Sequence, residues 1–266
     1  MNKIRMYCLS LSDSNYEKIK KLGYIPVGLG GDNFNSNWIR DNTDLNISKK
    51  NKYYGENTFH YWLWKNKLNN FPNNEWIGFC HYRRFWINQN NNSNKLEDIT
   101  IKFAEEKWNK FDVILGEEIF VNKTKLSKII KHGKKILIDN PFIFFNKNKI
   151  SIKIHFDMYH GYGNLDKAID LLDKENKEDF REFVYSRVSF NPWNMFICKS
   201  RKLMNYYYNS VFDWLSKCEE RFGFDEKSYG LIRIYAFLAE RYLSYWFQKN
   251  SNYKTNPIMH YDIKDY

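Results

Sequence analysis

Short apolar runs alternate with stretches of helical spacing along most of the chain. The clearest strand is WIGFC (76–80), and further strands are expected over residues 4–11, at DVIL (112–115) and in NMFICKS (194–200). This alternation predicts an α/β fold with a largely parallel or mixed sheet.

Three further apolar runs are short or interrupted. The run at 24–29 carries Pro26, which predicts an irregular or edge strand, because proline cannot donate to a neighbouring strand. KILID (135–139) and FIFF (142–145) predict two more short strands. Residues 32–52 are polar and predict a loop.

Apolar residues recur at helical spacing in residues 55–68, and residues 164–184 predict one charged surface helix. Two long helices are expected in the last third of the chain. On the second of these, Arg233 and Glu240 lie opposite the apolar stripe, with Arg241 further round. This charged side is either solvated or one wall of a pocket.

Length and composition favour one packed domain outside the membrane. The chain has 266 residues, 43% of them hydrophobic and 19% aromatic, which excludes a disordered chain. The four cysteines form no Cys-x-x-Cys pair, so we expect them to be reduced and buried. No signal peptide or membrane span is predicted, which indicates a cytoplasmic protein. Its net charge of +11 favours anionic partners and is compatible with peripheral contact at an anionic membrane.

The densest cluster of candidate functional residues is HYRRFW (81–86), directly after the strand WIGFC. Ligands of open α/β sheets bind beyond the carboxyl ends of the strands, and guanidinium groups bind phosphate bidentately. His81, Arg83 and Arg84 are therefore candidates for binding a diphosphate. The alternative is two surface arginines and a buried structural histidine.

The loop RDNTDLNISKKN (40–51) is the second candidate. Its short polar side chains are typical of Asx turns and of a helix cap near Ser48. The alternative is that Asp44 and Asn46 hydrogen-bond a sugar or a ribose, and that Asp41 and Asp44, three residues apart, approach a metal.

Several common sites are excluded or weakly supported by their motifs. The sequence has no HExxH, GxSxG, GxGxxG or Walker loop, and its histidine spacing is poor for zinc. It also has no Asp-x-Asp, which argues against a bound Mg²⁺ or Mn²⁺. Asp225, Arg233 and Glu240 remain candidates for an acceptor pocket, in which a carboxylate would act as general base.

Four segments resemble, in order and spacing, one bacterial protein family. They are DNTDLNISKKNKYYGENTFHYWLWKN (41–66), WIGFCHYRRFW (76–86), NMFICKS (194–200) and RIYAFLAERYLSYWF (233–247). The family was long labelled a domain of unknown function and is identified with glycosyltransferases that build capsules, O-antigens and exopolysaccharides. Some of its members resemble galactofuranosyl or galactosyl transferases.

The resemblance implies a variant GT-A fold, in which a Rossmann-like half binds a UDP-sugar and the C-terminal portion is helical. We expect one domain over residues 1–250, with the nucleotide-sugar half at about 1–120 and the acceptor half at about 121–250, followed by a tail at 251–266. HYR takes the place where ordinary GT-A enzymes carry Asp-x-Asp, and a fixed guanidinium would neutralise part of the diphosphate charge.

The resemblance also assigns residues by position. The matching donor-site residues are Asp44, Asn46, His81, Arg83 and Arg84, and the matching acceptor or pocket residues are Glu56, Asn194, Arg233 and Arg241. We also expect Cys8 and Ser10, in the first strand, at the donor site. Many family members have Gly-Asp-Asn where this chain has Leu45-Asn46, which weakens the case for a metal further.

Together these observations predict an inverting glycosyltransferase at the inner face of the cytoplasmic membrane, acting on a lipid-linked or polysaccharide acceptor. Asp225 or Glu240 would deprotonate the acceptor hydroxyl, and Arg83 would stabilise the departing diphosphate. No nucleic acid partner is expected. The alternative is a non-catalytic basic module that binds nucleic acid or an anionic glycan.

Overall fold

The chain folds into two compact units. The computed structural model describes residues 2–31, 33–88, 91, 93–124, 127–128, 130, 133–139, 141–144, 146–224 and 228–266. One unit, the sheet unit, comprises Met1–Glu117, Trp193–Asn209 and Phe247–Tyr266. The other, the helical unit, comprises Glu118–Pro192 and Ser210–Trp246.

The strands of the described residues are short. They are β1 (Arg5–Ser10), β2 (Ile25–Gly28), β3 (Ile39–Arg40), β4 (Ile77–His81), β5 (Arg84–Trp86), β6 (Val113–Gly116), β7 (Ile119–Phe120), β8 (Ser189–Phe190), β9 (Phe196–Cys198), β10 (Tyr253–Asn256) and β11 (Ile258–His260). β7 and β8 pair in the helical unit, and the others form one mixed sheet in the sheet unit.

The helices range from one turn to six. They are α1 (Tyr16–Lys21), α2 (Asn51–Tyr54), α3 (Asn57–Asn66), α4 (Leu96–Ile99), α5 (Lys134–Asp139), α6 (Ile152–His160), α7 (Asn164–Ile169), α8 (Lys174–Ser186), α9 (Arg201–Phe222), α10 (Tyr229–Ile232) and α11 (Ile234–Asn250). Both α9 and α11 contribute residues to the two units.

The sheet has the strand order β10-β6-β9-β4-β1-β2-β3, and β5 pairs with β4 and β11. β1 is parallel to β2 and β4, and β2 is parallel to β3, whereas β9 is antiparallel to β4 and β6. The predicted mixed α/β sheet is therefore confirmed.

Parallel pairing brings four strand ends to one edge of the sheet. In the register, Ser10 pairs with Gly28, Gly28 with Arg40, and Leu9 with His81. We call this the carboxyl edge, defined by Ser10, Gly28, Arg40 and His81. It is the place where open α/β sheets bind ligands.

The predicted central strand WIGFC corresponds to β4, which is apolar on both faces. Phe79 and Cys80 point to opposite sides of the sheet and are both fully buried, as expected for a strand covered on two faces. Cys8, Cys198 and Cys218 are likewise buried, and all four thiols are free, which confirms the expectation for the cysteines.

Two predicted strands of the helical unit are wrong. Residues 135–139 belong to α5, and residues 141–144 form a 3-10 turn; Phe145 lies outside the described residues. Ile136 is buried while Ile138 is 80% exposed. A short apolar run fits a helix as well as a strand, so periodicity alone does not separate the two.

Two predicted helices are each divided. Residues 164–184 form α7 and α8, because Asp173 caps a new helix by accepting a hydrogen bond from the backbone N–H of Asn176 at 2.9 Å. The last long helix is interrupted at Arg233, where α10 ends and α11 begins.

One predicted edge strand and two segments predicted as a loop and a tail contribute to the sheet. The run at 24–29 forms β2, which pairs on both sides and is not an edge strand. The polar residues 32–52 contain β3, and residues 251–266 provide β10 and β11. Among the described residues, no helix combines the length and apolar character that a membrane span requires.

Candidate functional site

The HYRR segment forms a tight turn at the carboxyl edge. His81 ends β4, Tyr82 and Arg83 form the turn, and Arg84 begins β5, paired with His81. The chain reverses here, so the two adjacent arginines leave in different directions and contact different partners.

Arg83 contacts the C-terminal segment. Its Nε donates to the Oδ2 of Asp262 at 2.9 Å, and about half of its side chain is exposed. The pKa of Asp262 is lowered by a hydrogen bond from the backbone N–H of Lys264 and by Arg83. This contact at the surface does not prevent Arg83 from reaching a ligand, since an exposed ion pair contributes about 0 to 1 kcal/mol.

Arg84 lies against the ring of Trp193. Its guanidinium carbon is 4.8 Å from the ring centroid, and its Nη1 donates to the backbone carbonyl of Arg83 at 2.8 Å. Within the described part of the chain, its buried Nε has no hydrogen-bond partner. Burial, followed by the nearby charge of Arg83, lowers the pKa of Arg84. An oxyanion bound beside Arg84 would accept a hydrogen bond from its Nε and would favour the charged form of its guanidinium.

The ring under Arg84 belongs to a segment with unusual backbone geometry. Trp193 and Asn194 have φ angles of 72° and 50°, in the left-handed region that bulky residues rarely adopt. Asn194 donates from Nδ2 to the Oε1 of Glu56 at 2.7 Å. Because Trp193 and Asn194 are consecutive, these contacts bring Arg84 and Glu56 to one corner of the site.

Beneath this corner, His60 is part of the core. Its Nδ1 is 2.9 Å from the hydroxyl of Tyr208, and its ring lies against Phe79 and Phe196. Burial, with a smaller effect from nearby His81, lowers the pKa of His60 to about 3. The ring is therefore neutral near pH 7 and positions its neighbours by packing.

The structure thus brings together His81, Arg84, Glu56 and Asn194, which the sequence predicts as site residues in four separate segments. We call Arg84, Trp193, Asn194 and Glu56 the Arg84 corner. Trp193 contributes the ring on which the guanidinium of Arg84 lies.

Arg40 at the carboxyl edge is not predicted as a site residue, and Asp41 beside it is considered only as an alternative metal ligand. Arg40 donates from Nε to the carbonyl of Gly28 at 3.0 Å and from Nη2 to that of Gly30 at 2.6 Å, which holds the glycine-rich loop after β2. Asp41 is fully buried. Burial raises the pKa of its carboxyl group, and nearby Thr58 and Arg40 oppose this effect. An aspartate after an arginine in a polar loop gives no sequence signal of such burial.

Four predicted donor-site residues have mainly local contacts. Asn46 accepts from the N–H and hydroxyl of Ser48 and donates to the carbonyls of Thr43 and Asp44. These contacts form the Asx turn that the sequence of the loop predicts. Asp44 is exposed and has a φ of 48°.

Cys8 and Ser10 are buried in β1. Ser10 Oγ donates to the carbonyl of Ser12 and accepts from the amide of Asn15 and the N–H of Ser12, which shapes the loop after the strand. Asp44, Asn46, Cys8 and Ser10 as donor contacts therefore stay predictions.

The predicted residues on α11 are in the helical unit. Glu240 and Arg241 are buried and form an ion pair with each other, so a solvated strip is the wrong interpretation for these two positions. Arg241 lines a cavity of this unit, and Arg233 is half-buried. Asp225 lies outside the described residues.

The corner does not fit a divalent metal. Glu56 already accepts from Asn194, and the neighbouring charge is the cation of Arg84, whereas Mg²⁺ prefers an octahedral set of oxygen ligands. Over the described ranges, no three His, Cys, Asp or Glu side chains are grouped as a metal site would need.

Comparison with known proteins identifies the family and the fold. The model of the family described as "Domain of unknown function (DUF4422)" matches residues 6–251. A search of the curated proteins gives no match. Among solved structures, the apo structure of the WbbM bifunctional glycosyltransferase is similar, with a TM-score of 0.65 and 18% sequence identity.

The alignment with that structure covers 97% of this chain and 45% of WbbM, so the chain spans less than half the length of that protein. The similarity confirms the predicted α/β, GT-A-like fold, since a TM-score of 0.65 extends over nearly all of the chain. With nearly its whole length matched by the family model, the chain belongs to the DUF4422 family.

Proposed function

We propose that the protein is an inverting glycosyltransferase, which moves a galactofuranosyl or galactosyl-like residue from a UDP-sugar to a surface polysaccharide acceptor. The observation that carries this proposal is the Arg84 corner, where Arg84 contacts Trp193 and Glu56 contacts the next residue, Asn194, beside the carboxyl edge of a GT-A-like sheet. The corner pairs a cation for a leaving diphosphate with a carboxylate for an attacking hydroxyl.

Arg84 is the proposed diphosphate contact. Its guanidinium is partly desolvated and fixed on the Trp193 ring, and a charge fixed in this way stabilises a developing anion without reorganisation. Arginine also offers a planar fork that matches phosphate oxygens. His81, which precedes the turn and pairs with Arg84, is proposed to border the same diphosphate.

Glu56 is the proposed general base. It lies immediately before α3, and Asn194 holds its carboxylate in place. In the reaction, the acceptor oxygen forms a bond to the anomeric carbon as the bond to the diphosphate oxygen breaks. The hydroxyl proton passes to Glu56, and the electron pair of the broken bond leaves with UDP, whose charge Arg84 offsets.

This assignment departs from the sequence-based expectation that Glu240 or Asp225 is the base. Glu240 is buried against Arg241 in the helical unit, which leaves it poorly suited to accept a proton from a substrate. Arg83 remains a proposed second contact of the diphosphate.

The acceptor is proposed to be lipid-linked or a growing polysaccharide, reached at the inner face of the cytoplasmic membrane. The support is the net charge of +11, because each Lys or Arg near anionic lipid contributes about 1 kcal/mol. A divalent metal, Mg²⁺ or Mn²⁺, stays the less favoured alternative for offsetting the diphosphate charge, and transfer measured with and without added metal tests it.

The test is transfer from a panel of UDP-sugars by the wild type and two variants. Glu56→Gln keeps an acceptor for Asn194 but cannot take a proton, so we expect kcat to fall about 100-fold or more while UDP binding is retained. Arg84→Ala should lower kcat/KM by about 10- to 100-fold, about 1.4 to 2.7 kcal/mol.

Arg5→Ala is the matched control. Arg5 lies at the opposite end of the same sheet, in an ion pair with Glu75 at 2.8 Å, and its loss should leave transfer within twofold. Arg83→Ala reports separately on the second arginine. Transfer by Arg84→Ala within threefold of wild type would show that the diphosphate role is wrong. Stabilisation by a single-stranded oligonucleotide but by no UDP-sugar would favour the non-catalytic basic module.

A further inference from the structure

The helical unit contains a cavity that the proposed reaction does not use. Its volume is about 770 Å³, within the range of about 300 to 1,000 Å³ that is typical of small-molecule sites. Residues of α6, α10 and α11 line it, together with Lys123, Thr124 and Lys128.

The charged residues of the lining all have the same sign. Lys123, Lys128 and Arg241 line the cavity, and none of its described lining residues is Asp or Glu. Such a cavity with low-dielectric walls focuses a positive potential and favours an anionic ligand.

Arg241 is the innermost of these cations. It is 2% exposed, and its guanidinium lies 4.4 Å from the ring centroid of Phe190 and 5.7 Å from that of Phe237. It forms an ion pair with Glu240, yet its Nε has no hydrogen-bond partner among the residues that the structure describes. A buried arginine with incomplete hydrogen bonding is costly unless something else supplies an acceptor.

The two histidines of the cavity do not add positive charge near pH 7. Burial, followed by the charge of Arg241, lowers the pKa of His155 to about 3, and the same causes lower the pKa of His160 well below its usual value. Their neutral rings provide flat, partly polar walls. His160 stacks on Phe237 with the ring centroids 4.0 Å apart.

Aromatic rings form the outer wall of the cavity. Tyr229 is 67% exposed, and its ring centroid is 6.0 Å from that of Phe237; Tyr159 is half-buried beside them. Rigid rings with hydroxyl and imidazole groups at their edges suit the apolar face and the hydroxyls of a sugar better than a flexible hydrocarbon tail.

We infer that this cavity binds a saccharide that carries an anionic group, a phosphate or a carboxylate. The anionic group lies toward Arg241, and the sugar ring lies against Tyr229 and Phe237. The requirement for an anion rests on the cavity alone, while the choice of a saccharide rests also on the proposed function.

The test is calorimetric binding of galactose 1-phosphate, galacturonate and galactose to the full chain with UDP at saturation. At least one acidic sugar should bind at least tenfold more tightly than galactose, and the two acidic arms identify the anion as phosphate or carboxylate. Equal binding of galactose, or loss of acidic-sugar binding when UDP is added, would overturn the inference. Preferential binding of farnesyl phosphate, or equal binding of inorganic phosphate, would overturn the saccharide assignment.

Variants locate the site. Arg241→Gln should weaken acidic-sugar binding at least tenfold. Because Arg241 is buried, this variant can fail to fold. In that case Lys128→Ala and Tyr229→Ala, at exposed positions, provide the test. Each of these two should weaken binding about three- to tenfold, and Lys167→Ala, an exposed lysine of α7 outside the lining, should not. Unchanged binding in both exposed variants would overturn the inference.

Arg84→Ala separates this inference from the proposed function. That variant should bind UDP about 10- to 100-fold more weakly and keep acidic-sugar binding. If the wild type binds acidic sugars but transfers no sugar from any UDP-sugar, the proposed function alone is refuted. If the wild type transfers sugar but binds no acidic sugar, only the inference about the cavity is refuted.

Discussion

Acid should destabilise the sheet unit through one buried histidine, His60, which lies beneath the Arg84 corner. The perturbation is His60→Gln, which keeps a group able to bond the Tyr208 hydroxyl but does not ionise. The folded protein holds the pKa of His60 at about 3, whereas an unfolded histidine has a pKa of about 6.5.

The sign follows from proton binding. As the pH falls through about 6.5, the unfolded chain takes up a proton at this position and the folded chain does not, so stability present above pH 6.5 is lost progressively toward pH 3. From pH 7.5 to pH 4, the loss due to His60 is about 3 kcal/mol, at about 1.4 kcal/mol per pH unit. The His60→Gln variant lacks this contribution.

Urea unfolding followed by tryptophan fluorescence measures the effect. The free energy of unfolding of His60→Gln minus that of wild type should rise by about 3 kcal/mol between pH 7.5 and pH 4. Buried His155 and His160 are present in both proteins and cancel in this difference. His260→Gln, at an exposed position of β11, should show a flat difference. A flat difference for His60→Gln as well would refute the account of a neutral, desolvated ring.

Three further substitutions, with Gly31→Ala as a control, test packing and strain. Phe79→Ala removes a fully buried ring from β4 and should lower the unfolding free energy by about 3 to 5 kcal/mol in urea titrations. Trp193→Gly should lower transfer about tenfold with little change in Tm, because relief of about 1 kcal/mol of left-handed strain offsets lost packing. A large fall in Tm that accompanies the loss of transfer would contradict this. Gly230→Ala should cost about 1 to 3 kcal/mol, since its Cβ would overlap the backbone carbonyl of Tyr159, whereas Gly31→Ala meets no atom within 4 Å and should be neutral.

The sequence predicts those parts of the sheet whose apolar runs are unambiguous. WIGFC is flanked by polar residues and is apolar throughout, which fits a strand buried on both faces. KILID has only three apolar residues, between Lys135 and Asp139, and forms a helix. So short a run does not show whether its period is that of a helix or of a strand. The strands β10 and β11 alternate weakly, and pairing with distant segments specifies them.

The sequence predicts only part of the candidate site, as it predicts only part of the sheet. The position of HYRR after a buried strand is enough to place His81 and Arg84 at the carboxyl edge. The sequence does not show that Arg83 contacts Asp262, 179 residues away, or that Trp193 lies under Arg84. The interpretation of Glu240 and Arg241 as a solvated strip fails for a physical reason, since α11 is buried on nearly every side and the two side chains form an ion pair with each other. Arg241 instead lines a cavity, which was the alternative.

Nucleotide binding by the Arg84 corner is the most direct test of the account. UDP should raise the Tm of the wild type, since a ligand at 100 times its Kd adds about 2.7 kcal/mol to stability. The same concentration should stabilise Arg84→Ala by only about 0.4 to 1.4 kcal/mol if its Kd is 10- to 100-fold higher, and should give a full shift in the Arg5→Ala control. An equal shift in wild type and Arg84→Ala, or no shift in the wild type, would contradict the claim that Arg84 holds the diphosphate.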